Sequence, residues 1–154
     1  MDLNCVATKD NLGKREVQLS CNLCTLCGAS EELVQHYFFE CMISNFAWNL
    51  CFKWFGVLTR QYNQTLQHFD QFYMSGLNIK ENKLWKVMRV AMIRRIWNHR
   101  NSIVFRNGQR DGEKIFGLTQ LKTWTWLRNK IPKINFSYSN WCLCSKSCIQ
   151  SVVH

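Results

Sequence analysis

A chain of 154 residues, 47% hydrophobic and 14% aromatic, can build one domain with a modest core but not two ordinary ones. One Pro and seven Gly exclude collagen-like or low-complexity sequence and disfavour a turn-rich β-sandwich. Twenty basic residues against ten acidic ones, a net charge of +10, point to polyanionic partners.

The coarse reading is mainly α, a small helical domain with a Cys-rich turn near its N-terminal side. Thr8 is placed to cap a short helix over 9–16. Residues 21–30 form the turn, and Glu31 to Phe39 reads as a helix entering Cys41. Over 43–56, Phe46, Leu50 and Trp54 recur four apart, with Ile43 and Val57 extending the stripe. Residues 65–75 give a weaker helix carrying Leu66, Phe69, Phe72 and Tyr73. The strongest pattern is 81–105. Trp85, Met88, Met92, Ile96, His99 and Ile103 follow one face of a 3.6-residue period, and Asn107-Gly108 closes it. A last helix starts near Asp111 and runs to Lys130, before Ile131-Pro132. The tail from Phe136 is expected to be irregular. The chain thus divides into a Cys-rich module at 1–60, a basic helical region at 61–135 packed with it, and a Cys-containing tail at 136–154.

Nothing reads as a signal or a span. Met1-Asp2-Leu3-Asn4-Cys5 lacks a basic and an apolar region in series. The most apolar window, 46–58, is interrupted by Asn49 and Lys53 and falls short of the about 20 residues a bilayer needs. The expectation is an intracellular chain, nuclear or cytoplasmic, with no membrane partner. Its nine Cys, an odd number, then serve as thiols or metal ligands rather than a disulfide framework.

The clearest chemistry is Cys24-x2-Cys27-Gly28, then His36, then Cys41. Three thiolates and one imidazole make a closed tetrahedral set for one structural Zn²⁺, with no position left for a reactive water. Gly28 suits a turn that needs φ > 0. The plain alternative is a group of buried thiols. Cys21 also makes C-x2-C with Cys24, so a frame shifted by three residues is open. Cys142, Cys144, Cys148 and His154 form an irregular second cluster that a second ion would have to bridge.

Charge divides the chain. Residues 1–40 hold three basic and six acidic side chains, while residues 80–133 hold fourteen basic and three acidic. Within the second stretch, Lys86, Arg89, Arg94, Arg95, Arg100 and Arg106 are the candidate phosphate contacts, with Trp97 and His99 among them. A few short-range base contacts near Leu26 or Tyr37 are a further expectation. The plain alternative is a solvated helix face, but such faces mix signs, and between 81 and 110 only Glu81 opposes eight cations. Catalysis is not expected. The acids are scattered, no Asp-Asp pair exists, and Glu31-Glu32 reads as a favourable interaction with a helix N-terminus.

Four segments carry a family resemblance. Thr8 to Arg15, the C-x2-C-G turn, His36-Tyr37-Phe38-Phe39-Glu40-Cys41, and Arg94 to Phe105 resemble, in order, the C-terminal zinc-binding domain of plant LINE-type (non-LTR) reverse transcriptases. Asn135 to Cys142 and Cys148-Ile149 are similar to that family's tail. The resemblance implies a zinc-dependent, non-catalytic module that grips RNA or DNA without sequence preference. Two departures stand out. The family usually has Pro after the first zinc Cys, where this chain has Thr25, and often Asn-Pro before its last Cys, where this chain has Cys144-Ser145. Seen this way, the chain looks like a stand-alone remnant or excised tail. The other readings are a protein-interaction module working through exposed aromatics, or a retroelement remnant without selected function.

Overall fold

The computed structural model of the chain describes residues 5–56 and 77–153. The expected helix at 65–75, Val57 and His154 lie outside those residues. The architecture is mainly α, as expected. Six α-helices appear among the described residues: α1 (Lys9–Lys14), α2 (Met42–Phe55), α3 (Ile79–Arg106), α4 (Gly112–Lys130), α5 (Tyr138–Leu143) and α6 (Ser145–Val153). A π-helical turn, His36–Glu40, precedes α2. The only β pairing among the described residues is an isolated antiparallel bridge, Leu23 to Glu31.

Four helix boundaries have a clear local cause. The Thr8 side chain accepts from the Asn11 amide and starts α1. The Asn78 side chain accepts from the Lys80 and Glu81 amides while Glu81 accepts from the Asn78 amide, a reciprocal cap that starts α3 two residues earlier than periodicity suggested. Asn107, at φ 51°, ends it in the left-handed region. Asp111 accepts from the Lys114 amide and starts α4.

The core sits where α3, α4 and α2 meet. The α3 stripe is as expected: Trp85, Met88, Met92 and Ile96 are buried, as is His99, and Ile103 is half-buried. Burial of each large apolar side chain contributes about 1.5–3 kcal/mol. Trp85 packs against Phe52 and Phe55 of α2, with ring centroids 5.4 and 5.3 Å away. Thr119 of α4 places its hydroxyl 3.7 Å from the Met92 sulfur.

Two expectations are corrected. The buried face of α2 is Ser44, Ala47, Trp48, Cys51 and Phe55, whereas Phe46 is exposed and Leu50 and Trp54 are half-buried. Asn45, Asn49 and Lys53, four apart and exposed, mark the outer side of this helix, and the buried face lies opposite them. The π-helical turn holds that face inward, because the Tyr37 and Phe38 carbonyls accept from Ser44 Oγ at 2.7 Å and Trp48 Nε1 at 2.8 Å. The tail is not irregular either. Trp141 is buried, its Nε1 donates to the Gln120 carbonyl at 3.0 Å, and its own carbonyl accepts from Trp54 Nε1 at 3.0 Å. One aromatic anchor thus orders α5 and α6 against α4 and α2. A single apolar cluster runs from Val6 through α2, α3 and α4 to Ile149.

Candidate metal centre

Cys24, Cys27, His36 and Cys41 come together with their ligand atoms all within 4.8 Å of one another. The turn that presents the first two is closed by the Gly28 amide donating to the Cys24 carbonyl at 2.7 Å and the Cys24 amide donating to the Ser30 carbonyl at 2.7 Å. Gly28 has φ +69°, as the spacing predicted. That left-handed conformation is what favours glycine here, since the nearest neighbour of an added Cβ, the exposed Arg110 guanidinium at 3.1 Å, can move aside. Leu26, between the two cysteines, is fully buried and pins the turn to the core.

The second pair of donors depends on the π-helical turn. An α-helix advances about 100° per residue, which would leave position 41 about 140° away from position 36. Instead the Cys41 amide donates to the His36 carbonyl at 2.6 Å, closing a five-residue turn that returns Cys41 toward the imidazole. The expected plain helix over 31–39 is replaced by this wider turn, and the replacement makes the ligand set converge.

The distances fit a tetrahedral ion. Zn–S bonds of about 2.3 Å and Zn–N bonds of about 2.0 Å imply S–S edges of about 3.8 Å and S–N edges of about 3.5 Å. Cys24 Sγ lies 3.9 Å from Cys41 Sγ, and Cys27 Sγ lies 3.4 Å from His36 Nε2. Cys24 and Cys41 are buried, Cys27 and His36 half-buried. Without a cation the Cys24 thiol is pushed well up by its hydrogen bond to Cys41 and by burial, and Cys41, as acceptor, is drawn down. A dication bound between these sulfurs displaces thiol protons and holds the thiolates. The donor set therefore suits one structural Zn²⁺ and leaves no open coordination position.

The shifted frame is settled by placement: Cys21 is exposed, its sulfur 3.3 Å from the Leu23 amide, outside the cluster. Of the second cluster, Cys142 is half-buried, Cys144 exposed and Cys148 buried, and no second convergent ligand group occurs among the described residues.

Residues 2–48 match the family model for zinc-binding in reverse transcriptase. The match spans all four ligands and ends within α2. No curated protein and no solved structure matches the chain.

Around the ligands lies a group that sequence reasoning missed. Glu32 is fully buried, and the helix start it meets is that of α1 rather than one opening at its own position. Its Oε1 accepts from the Lys9 amide at 3.1 Å and from Arg100 at 2.8 Å, and its Oε2 accepts from the Thr25 amide at 2.8 Å. One carboxylate thus ties α1, the metal turn and α3 together. Burial alone would raise this carboxyl, but the Thr25 and Arg100 hydrogen bonds outweigh it and hold it below its ordinary value. Proline at position 25 would have no N–H to give. Thr25 does, and Glu32 takes it. Arg110, exposed after α3, donates to the Cys27 carbonyl at 3.4 Å.

The predicted phosphate contacts divide by burial. Arg94 and Arg106 are exposed, and Lys86 and Arg95 are half-buried. Arg89 and Arg100 are buried, and Arg100 is committed to Glu32 and to the Trp97 ring 5.1 Å away. Those two do not serve as phosphate contacts, because a guanidinium buried inside the fold does not reach a phosphate. Leu26 and Tyr37 are fully buried as well, so neither offers a base contact. The Tyr37 hydroxyl instead donates to the Ile96 carbonyl at 2.8 Å. His99 is a core-boundary residue, its Nε2 accepting from the Asp111 amide at 3.0 Å.

Proposed function

We propose that the chain is a zinc-stabilised, non-catalytic module that binds RNA or DNA through phosphate contacts, of the kind found at the end of plant LINE-type reverse transcriptases. One observation supports this reading above the others: the exposed cations of α3 and α4 outnumber the anions beside them. Arg94, Arg106, Lys114, Lys122, Arg128 and Lys130 are exposed, and the only exposed side-chain ion pair among the described residues is Lys14 to Asp10 on α1. Uncompensated cations on rigid helices attract polyanions and release their counterions on binding. The closed ligand set gives zinc a structural role, and this reading assigns no catalysis to it.

A fluorescence-anisotropy salt titration on single-stranded RNA and DNA tests the proposal. If Arg94, Arg95 and Arg106 each neutralise one phosphate, log Kd against log salt has a slope of magnitude about 2.1 on single strands. Arg94→Ala with Arg95→Ala weakens all sequences alike and flattens it. A flat slope for the unsubstituted chain refutes the reading. The interaction-module alternative has its own observation, since Val90, Phe105 and Leu143 stand 66%, 75% and 84% exposed. It predicts salt-insensitive, weak nucleic-acid binding together with self-association.

A further inference from the structure

The tail holds a second thiol site, unconnected with the metal. An open groove of about 370 Å³ is lined by Phe136, Asn140, Leu143, Cys144, Cys148 and Ser151, among others. Cys144 is exposed and immediately precedes α6. Its sulfur lies 3.1 Å from the Ser147 hydroxyl. Hydrogen bonds from the Ser147 side chain and amide, then from the Lys146 amide, draw this thiol below its ordinary value. Cys148, one helical turn on, is nine-tenths buried yet lines the same groove, and burial raises its thiol. An accessible sulfur at a helix start beside a sheltered, protonated one is the division of labour of attacking and resolving thiols.

We propose that Cys144 and Cys148 form a thiol–disulfide exchange site for small peptide disulfides of the glutathione class, Cys144 attacking and Cys148 resolving. The Cys144 thiolate attacks one sulfur of glutathione disulfide, forming a mixed disulfide and releasing one glutathione thiolate. Cys148 then attacks the Cys144 sulfur, forming the Cys144–Cys148 bond. Its proton leaves with the second glutathione as a thiol. Two protein thiols are oxidised and one disulfide is reduced to two thiols. Residues one turn apart have Cβ atoms about 5–6 Å apart, so closure needs a movement of about 1 Å or more. The Cys144 amide donates to the Asn140 carbonyl at 2.9 Å and its carbonyl accepts from the Cys148 amide at 3.3 Å, so closure opens that first hydrogen bond of α6.

The test uses the full zinc-loaded chain, alkylation at neutral pH and peptide mass mapping. Cys144 is labelled by iodoacetamide about fivefold or more faster than exposed Cys21. With glutathione disulfide, the chain loses two hydrogens in the peptide holding Cys144 and Cys148. Cys148→Ser traps glutathione on Cys144, and Cys144→Ser yields neither product. Equal labelling of Cys144 and Cys21 in the unsubstituted chain overturns the proposal. So does glutathione persisting on Cys144 with Cys148 present. Because the labelling comparison needs no variant, a misfolded Cys148→Ser does not decide it.

Discussion

Replacing Arg100 by Met should destabilise the domain far more than replacing any exposed arginine. Arg100 and Glu32 meet at 2.8 Å, with side chains 8% and 0% exposed. Removing one partner of such a pair leaves the other charged and dry, at a cost of about 3–5 kcal/mol. For Arg100→Met the lower end is expected, because the Lys9 and Thr25 amides still hold the carboxylate. For Glu32→Gln the upper end is expected. Arg100 keeps its charge, its Nε has no partner in the fold, and one amide nitrogen of Gln faces donors. The double variant Glu32→Leu/Arg100→Met, apolar at both ends, should recover much of the loss, giving a coupling of about 2 kcal/mol or more. Urea unfolding at neutral pH and saturating zinc measures all four proteins. Single-variant losses below about 1 kcal/mol, or losses that simply add, would refute the claim that this pair joins the metal turn to α3.

Four further outcomes follow from the same geometry. Protein prepared without chelator should carry one zinc per chain by native mass spectrometry, and Cys27→Ser should carry none. Affinity should fall at low pH as protons compete for sulfur and imidazole. Thr25→Pro should lose the amide bond to Glu32 and cost about 1–2 kcal/mol in urea unfolding, since a hydrogen bond to a charged group outweighs the entropy proline returns. His99 is held neutral by burial, its pKa lowered from 6.5. The unfolded chain therefore takes up the proton first, and stability present above about pH 6.5 is lost as pH falls toward the folded value. A His99→Asn variant, compared with the parent at each pH, should show a shallower loss between pH 6.5 and 5.5, and equal slopes would contradict the assignment.

How much was legible follows from what each signal depends on. Cys24, Cys27, His36 and Cys41 were readable because ligand type and short spacing are local properties, as were Gly28, the cap at Thr8 and the helix start near Asp111. The α3 stripe was readable because its polar face contrasts with Trp85, Met88, Met92 and Ile96. The reciprocal cap of Asn78 and Glu81 was equally local and marks the start that periodicity missed. On α2, Phe46, Leu50 and Trp54 recur four apart, but Asn45, Asn49 and Lys53 recur beside them and mark that flank as the exposed one. Glu32 and Arg100 are 68 positions apart, and neither carries a local mark that sets it off from exposed acids and arginines. The tail looked irregular because its two helices are short. They are held by Trp141 against α4, a contact across 21 positions.

The same long-range contacts explain why an acidic metal module and a basic helical region form one body. The Arg100 ion pair, the Tyr37 hydroxyl on the Ile96 carbonyl and Arg110 on the Cys27 carbonyl all run from the metal turn or its flank to α3 or its end. Each depends on the turn's backbone or on a side chain within five residues of a ligand. Zinc holds Cys24 and Cys27 against His36 and Cys41, and so fixes where Glu32 and Tyr37 point. Loss of the ion should therefore loosen α3, not the turn alone. The buried end of Arg100 would gain solvent, and the exposed cations would keep their charge but lose their rigid spacing. Phosphate binding is then expected to survive chelation weakly, with unchanged charge and a less ordered helix.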